Sequence, residues 1–263
     1  MPEKTIIDAS SPNAGRIYDY LLGGHHNFEI DRQVGEQLKQ QVPFLPKAMR
    51  LMRWCLQDIA RTLTVERGFD TIIDFASGLP TQDHIHISAA PGTTVIYSDR
   101  DPVTVEYGQE ILGDTPNVYY FRADCRRPEE LLSRPEVQAI LGGKRHVAFV
   151  YWGISMYITD EDIAHIARTL YDWSDQDSQL VFFLAMPIQG DLSSPMETYR
   201  RMGEELHFRS LETFKALVQP WRADELGYQS MEEWHNIEVP ISDEEKRMIT
   251  AGGGAGYGVY LVK

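Results

Sequence analysis

The stretch that decides the fold is Thr71-Ile72-Ile73-Asp74-Phe75-Ala76-Ser77-Gly78-Leu79-Pro80. It begins with an apolar, β-branched run, continues into an acid and then small residues, and ends at a proline. This order is typical of a buried strand and the tight turn that follows it. A second β-type run, residues 93–98, ends in Asp99. Together these features predict a nucleoside site in an open α/β sheet, where the turn lets backbone N–H groups approach the ligand.

Downstream of this stretch the chain alternates between short β-type runs and helical runs. The predicted strands are 71–76, 93–98, 118–122, 146–151 and 179–185. The predicted helices between them lie near 82–89, 102–112, 128–140 and 160–172. This alternation predicts a parallel sheet with helices on both faces and right-handed crossovers.

The segments on either side of this α/β core have a different character. Upstream, the sequence predicts helices over 13–22, 31–41 and 47–63, the last with apolar residues at steps of three and four. We interpret residues 1–68 as a helical lid integrated with a domain of residues 69–263. Downstream, we expect helices near 194–206, 210–218 and 222–227, then β-type runs at 236–241 and 256–262 that form an antiparallel edge pair.

The composition limits the classes of partner. The 263 residues are 43% hydrophobic, which is enough for one core with a small cap. The net charge of −14 argues against nucleic acid or an anionic membrane as a partner. Cys55 and Cys125 form no CxxC motif and lie near no histidine run, so we expect neither a disulfide framework nor a metal site. With no apolar leader or membrane-spanning stretch, the sequence suggests a cytoplasmic protein.

Acids follow three successive predicted strands. Asp74 can orient the turn or contact the amino group of a bound amino-acid tail. Asp99 lies 25 residues further on, close to the roughly 20-residue spacing of a ribose-binding acid. Asp101 competes for that role, but its place before Pro102 suits a helix cap better. Asp124 can accept the adenine amino group, with the Cys125 N–H on a ring nitrogen; otherwise it is a loop acid paired with a neighbouring arginine.

The glycine fingerprint of the turn is incomplete. Ala76 takes the place of the first glycine in a GxGxG pattern, followed by Ser77 and Gly78. Alanine is small enough for close approach but is comfortable only at negative φ. As a motif this is weak by itself. Five parallel strands with a terminal antiparallel pair, seven strands in all, nevertheless match the Rossmann-like layout of class I methyltransferases better than that of a dinucleotide dehydrogenase.

The chain also resembles a large bacterial family assigned as S-adenosylmethionine-dependent methyltransferases and long known as a domain of unknown function. The resemblance rests on residues 11–24, Asn27-Phe28, Asp31-Arg32, the run Phe75–Thr81, His86, the run Val95–Val103 and Ala123–Arg126, and more loosely on 147–160. It implies S-adenosylmethionine as the cofactor. The contacts implied in the core domain are Asp74, Ala76, Ser77, Gly78, Asp99, Arg100, Asp124, Cys125 and Trp152. The lid would carry Arg16, Tyr20 and Arg50 toward the carboxylate of the donor.

The catalytic residues stay open, with Tyr20, His26 and Tyr157 as candidates. Trp152 and Tyr157 follow the fourth strand and can face the sulfonium or simply pack under the next helix. Adjacent histidines point apart, so His25 and His26 do not suit a shared metal, although one could act as a base. Met156 stands where the family usually has a histidine, so a base at that position is lost.

The residues therefore favour a methyltransferase that acts on a small-molecule acceptor. Methyl transfer from a sulfonium is an in-line displacement that needs a base only if the acceptor must first lose a proton. Two alternatives stay open. One is a non-catalytic protein that binds S-adenosylmethionine or S-adenosylhomocysteine, and the other is an NAD-dependent oxidoreductase. The sequence fixes neither the acceptor nor the oligomeric state, for which a homodimer is one option.

Overall fold

The structure of the chain is a computed structural model that describes residues 11–81, 83–186, 193–231, 234 and 256–263. Its centre is one eight-stranded sheet with the order β3-β2-β1-β4-β5-β8-β6, and β7 also pairs with β8. The strands are β1 (Thr71–Phe75), β2 (Thr94–Asp99), β3 (Val118–Arg122), β4 (Ala148–Tyr151), β5 (Gln179–Ala185), β6 (Arg222–Ala223), β7 (Gln229–Ser230) and β8 (Gly256–Val262).

Strands β1 to β5 are parallel, as the alternation predicted, and β8 runs antiparallel beside β5. The run 236–241, predicted as the partner of β8, lies outside the described residues. The chain order reverses at β1, which has β2 on one side and β4 on the other. Open α/β sheets bind ligands at this reversal, outside the carboxyl ends of the strands.

Ten α-helices lie in the described residues. They are α1 (Ala14–Leu21), α2 (Glu29–Gln41), α3 (Leu45–Arg61), α4 (Ile85–Ser88), α5 (Pro102–Leu112), α6 (Pro128–Leu132), α7 (Pro135–Leu141), α8 (Asp160–Trp173), α9 (Ser193–Arg201) and α10 (Leu211–Leu217). The helix expected over 128–140 is two helices, because Pro135 cannot continue the first. The helix expected near 222–227 is wrong: Arg222 and Ala223 pair with the edge of β8.

Both faces of the sheet are buried, which is usual for parallel strands. Successive β1 residues point to opposite faces, so Ile72 and Ile73 belong to different apolar layers. Helices α6, α7, α8 and α10 cover the layer of Ile73, and α3, α4 and α5 cover the layer of Ile72. On α3, Leu51, Cys55 and Ile59 have no exposed surface, so this helix is part of the sheet's core.

A smaller apolar cluster joins the N-terminal helices to α9. Ile17 and Leu21 of α1 and Leu38 of α2 pack with Tyr199 of α9. The side chain of Gln37 also donates to Thr198 at 3.2 Å. The cover over the sheet is therefore built from both the N-terminal helices and α9. No helix in the described ranges is long and apolar enough to cross a membrane.

Candidate functional site

A cavity opens at the carboxyl ends of the parallel strands, where the chain order reverses. The space in it, including its open mouth, is about 1180 Å³. Asp74 from β1, Asp99 from β2 and Asp124 after β3 all line it. These strands are hydrogen-bonded neighbours in register, which is why acids far apart in sequence reach one wall.

The turn after β1 is fixed by bonds to β2. The Ser77 N–H donates to the Ser98 carbonyl at 2.9 Å, and the Gly78 N–H donates to Asp99 at 3.2 Å. The Ser77 hydroxyl donates to the Asp74 carbonyl at 2.8 Å. Ala76 has a φ of 53°, so it does not take the negative φ that suits alanine. A left-handed conformation costs a non-glycine residue roughly 1–2 kcal/mol.

Two of the three acids hold their protons unusually tightly. Asp74 is 3% exposed, and burial raises its pKa to about 8, against the opposing charge of Arg53. Burial also raises the pKa of Asp99 to about 6, although N–H groups of Asp101 and Gly78 donate to its carboxylate. Both shifts follow from the cost of an anion in a poorly solvated place. A cation or a set of hydroxyl donors in the cavity would stabilise the ionised forms.

Asp124 has a different environment. Burial alone would raise its pKa, but the hydrogen bonds from Arg126 outweigh burial and lower it. The Arg126 Nε lies 3.0 Å from both carboxylate oxygens of Asp124. Asp124 is therefore both paired with a neighbouring arginine and part of the cavity wall. Asp101 caps α5 through the Thr104 N–H at 3.1 Å, as its position before Pro102 predicted.

The cavity contains a buried cation that the sequence reasoning missed. Arg53 on α3 is 5% exposed, and its Nε and Nη1 have no hydrogen-bond partner among the described residues. Its guanidinium lies 5.3 Å from the ring centre of Tyr18. A buried charge without a partner is costly, so this group fits an anion bound in the cavity. The signal was available: Arg53 falls on the apolar stripe of its helix, between Met49 and Leu56.

The comparison with known families decides the class of protein. The family described as S-adenosyl methyltransferase matches residues 1–257 of the chain. The chain belongs to this family. S-adenosylmethionine is therefore the cofactor of the enzyme, and the predicted resemblance is confirmed.

Solved structures agree with the assignment. A protein of Thermobifida fusca YX, provisionally assigned as a methyltransferase, is 26% identical over 97% of this chain and 96% of its own, with a TM-score of 0.84. A DUF574 family protein of Streptomyces avermitilis MA-4680 is also 26% identical, over 97% and 99%, with a TM-score of 0.85. A methyltransferase of Anabaena variabilis ATCC 29413 shares the fold at 14% identity over 78% and 81%, with a TM-score of 0.50. No significant match was found among curated proteins.

All nine contacts expected in the core domain line the cavity. They are Asp74, Ala76, Ser77, Gly78, Asp99, Arg100, Asp124, Cys125 and Trp152. Burial raises the pKa of the Cys125 thiol well above its ordinary value, so this side chain stays neutral. Trp152 lines the cavity, and its indole N–H donates to the carbonyl of Met52 on α3 at 2.9 Å. Arg100 forms an ion pair with Glu204, which also lines the cavity.

The arginines expected from the lid are corrected by the structure. Arg16 is 2% exposed, and its Nε donates to Asp31 at 2.7 Å, so the protein already uses its charge. Arg50 is exposed on α3 and donates to the Leu22 carbonyl at 2.8 Å. Neither lines the cavity. Arg53, one helical turn beyond Arg50, lines the cavity instead.

Of the three catalytic candidates only Tyr157 lines the cavity. The Tyr20 hydroxyl donates to Glu36 at 2.5 Å on the outer side of the lid. The ring of His26 packs edge-on against Tyr107 at 5.9 Å. The residues that line the cavity therefore come from the strand ends, α1, α3 and the segment after β4. Among the described residues, no group of three or more histidine, cysteine or acidic side chains could hold a metal ion.

Proposed function

We propose that this methyltransferase moves the methyl group of S-adenosylmethionine to a small molecule that binds beside the donor in the same cavity. The observation that carries the proposal is one cavity that combines three strand-end acids with the buried guanidinium of Arg53, two of whose nitrogens have no hydrogen-bond partner among the described residues. The donor has complementary groups: a carboxylate, an ammonium, two ribose hydroxyls and an adenine. The residues present therefore fit it.

Each polar group of the donor has a partner of suitable chemistry. Arg53 would bind the carboxylate, for which a guanidinium fork is well shaped. Asp74 would accept from the ammonium, and Asp99 would accept from the ribose hydroxyls. Asp124 and the Cys125 N–H would bind the adenine. The Asp74 and Asp99 carboxyls, whose pKa values burial raises to about 8 and about 6, would both ionise more readily against these donors.

The acceptor would bind under the cover formed by α1, α2 and α9. Tyr18 lines the cavity from the lid, Glu204 lines it from the segment after α9, and Tyr157 lines it from below. The net charge of −14 disfavours a polyanionic acceptor and supports a small molecule. We also propose that residues 1–68 serve as this lid while remaining integral to the fold.

The enzyme's contribution to the rate would be alignment. When bound, S-adenosylmethionine supplies a methyl group on a sulfonium. The cavity wall holds the donor's polar ends, and the aromatic faces of Tyr18, Trp152 and Tyr157 exclude water and favour a cation. Orientation of this kind can supply roughly 7–11 kcal/mol of the barrier.

The described residues of the cavity wall include no strong base. Burial raises the pKa of Tyr157 well above its ordinary value, so this hydroxyl stays protonated at neutral pH and does not act as a base. Burial lowers the pKa of His84, the one histidine that lines the cavity in the described part of the chain, and both of its ring nitrogens are engaged. This suits an acceptor that attacks without prior deprotonation by the enzyme. It also makes a non-catalytic donor-binding protein the second candidate function.

Calorimetric titration with S-adenosylhomocysteine tests the donor site. We expect binding in the micromolar range or tighter, and an increase in melting temperature that NAD does not produce, because a ligand stabilises only the state that it binds. No binding at several hundred micromolar would overturn the proposal. Tight binding without methyl transfer to any member of a broad panel of amines, thiols and phenols would favour the non-catalytic alternative.

A further inference from the structure

The donor-binding turn contains a residue in an unfavourable backbone conformation, and a buried histidine contacts the turn in addition to the bonds from β2. Ala76 has a φ of 53° and Gly78 a φ of 62°. Glycine adopts such angles freely, but alanine does so at a cost. A strained residue persists only where its surroundings fix it. The question at this site is which side chain supplies that constraint.

His84 makes a side-chain contact with the turn from the segment that follows it. Its side chain is 1% exposed, and its Nε2 lies 3.1 Å from the Ser77 carbonyl oxygen. The Ile85 N–H donates to Nδ1 at 3.0 Å, so Nδ1 is an acceptor and the ring proton lies on Nε2. His84 therefore donates to the Ser77 carbonyl. The same Nε2 lies 4.0 Å from Asp74.

A second contact fixes the imidazole ring itself. The Tyr97 hydroxyl on β2 lies 3.1 Å from the His84 Nδ1, and the two rings meet edge to face with centres 4.7 Å apart. The Tyr97 hydroxyl also accepts from the His86 N–H and lies 2.9 Å from the His86 Nδ1. Tyr97 of the sheet thus holds the His84 ring, whose Nε2–H faces the turn. His86 shares the Tyr97 contact but does not touch Ser77.

We propose that His84 is a positioning residue that holds the turn after β1 in the conformation that a glycine at position 76 would adopt unaided. The inference rests on the proposed function, because it assumes that this turn binds the donor. It explains how the chain keeps a donor-binding turn without the first glycine of the usual fingerprint. Without His84, the turn would relax toward a negative φ at Ala76, and donor binding would have to restore the strained form.

A double-mutant cycle between His84→Phe and Ala76→Gly tests this coupling. Phenylalanine keeps the ring volume but removes the N–H donor. In the presence of Ala76, we expect His84→Phe to weaken S-adenosylhomocysteine binding by about 5- to 30-fold, the factor that corresponds to the left-handed strain of alanine. In the Ala76→Gly background the same change should weaken binding only about twofold, because glycine populates both conformations.

Two further variants keep the test decisive. His86→Phe removes the other imidazole on Tyr97 without touching the turn, and it should leave the affinity within about twofold of the wild type. If His84→Phe does not fold, His84→Asn is the replacement, since asparagine can still cap α4 but is too short to reach Ser77. Equal losses of affinity in the two backgrounds would overturn the proposal and leave His84 a packing residue.

The apo protein separates this inference from the proposed function. Ala76→Gly should raise the melting temperature by about 2 °C while His84 is present, and should give no rise in the His84→Phe background. If the wild type binds no S-adenosylhomocysteine, the proposed function fails, but this thermal cycle still decides whether His84 holds the turn. Identical effects of Ala76→Gly in both backgrounds would contradict the inference whatever the ligand.

Discussion

Arg53 from α3 and Asp74 from β1 both line the cavity and interact electrostatically. Each is buried, and neither is fully compensated by the protein alone. Arg53 has two nitrogens without a hydrogen-bond partner in the described chain, and Asp74 has a pKa of about 8 because burial disfavours its charge. A zwitterionic amino-acid tail would complete both, which makes these two residues the sharpest test of the donor's orientation.

Arg53→Gln should separate recognition of the tail from recognition of the nucleoside. A charge-assisted hydrogen bond contributes about 1.5–3 kcal/mol, so we expect S-adenosylhomocysteine to bind roughly 10- to 150-fold more weakly. The affinity for 5′-methylthioadenosine, which lacks the amino-acid tail, should be unchanged. Titration calorimetry with both ligands measures this. Arg50→Gln, on the exposed side of the same helix, is the matched control, and equal losses for both ligands would show that Arg53 does not bind the tail.

Asp74 should make both stability and affinity depend on pH. Because burial raises its pKa from 3.8 to about 8, its contribution to stability is complete below about pH 4 and is lost as the pH rises toward 8. The ammonium of the donor favours the ionised form, so affinity for S-adenosylhomocysteine should increase between pH 6.5 and 8. Urea unfolding and calorimetry at several pH values measure the two effects.

The matched variant for this prediction is Asp74→Asn. It removes the titrating group with little change of volume, so both pH dependences should flatten between pH 6.5 and 8. The window avoids the contribution of Asp99, whose pKa burial raises to about 6. A variant with the same pH profile as the wild type would show that another group titrates in this range.

At the scale of elements, the segment after β4 reaches the cavity because a buried arginine holds it. Arg209 is 6% exposed and binds three groups of this segment: the carbonyls of Ser155 and Ile158, each at 2.7 Å, and Asp160 at 2.6 Å. These contacts span the short turn that carries Tyr157 into the cavity wall. We call these three contacts of Arg209 the clamp; they also connect the segment after α9 to the start of α8.

Arg209→Ala should therefore destabilise the protein substantially. Two buried carbonyls would lose their donors, at a cost of about 2–4 kcal/mol in the free energy of unfolding measured by urea denaturation. The stability of Arg209→Lys should fall between those of the wild type and Arg209→Ala, since lysine keeps the charge but not the forked guanidinium. Arg200→Ala, which breaks an exposed pair with Glu197, should change the stability by less than about 0.5 kcal/mol. Equal effects of the two alanine variants would count against the clamp.

At the scale of the whole molecule, the site depends on how the sheet is ordered and covered. Asp74, Asp99 and Asp124 meet because β1, β2 and β3 are parallel neighbours. The cover over them combines α1 and α2 with α9, although more than 150 residues separate Gln37 from its partner Thr198. The lid and the C-terminal helices therefore form one structure above the cavity.

A chain of residues 69–263 should not fold independently. Removing α3 would uncover one face of the sheet, because Leu51 and Ile59 are fully buried against the layer of Ile72 and Val95. We expect no cooperative urea transition by circular dichroism and no binding of S-adenosylhomocysteine. Leu51→Ala in the full chain leaves an empty space in the core and costs about 2–5 kcal/mol of stability. It should lower the midpoint of the urea transition and weaken S-adenosylhomocysteine binding, but abolish neither. A cooperative transition of the truncated chain would identify residues 1–68 as a separable lid.

Sequence patterns alone identified the features that depend on near neighbours. The strand before Asp74, the turn of small residues, the cap at Asp101 and the apolar stripe of α3 are local consequences of side-chain shape and spacing. The parallel sheet followed from the alternation of strands and helices, whose crossovers allow few arrangements. The helix expected near 222–227 was wrong because pairing with β8 outweighed local preference at Arg222 and Ala223.

Only the tertiary structure decided which groups face the cavity. The apolar stripe of α3 placed Arg53 on the buried face of the helix, but only the packing of α3 against the sheet showed that Arg53, and not Arg50, lines the cavity. The sequence could not show that Ala76 takes a positive φ, since long-range contacts overcome the backbone preference of alanine. Nor could it bring α9 beside α2, because that contact forms between segments more than 150 residues apart, whose proximity is set by the order of the strands. Local sequence thus determined where the strands and helices form and which acids lie at the strand ends. Packing determined which other side chains complete the site.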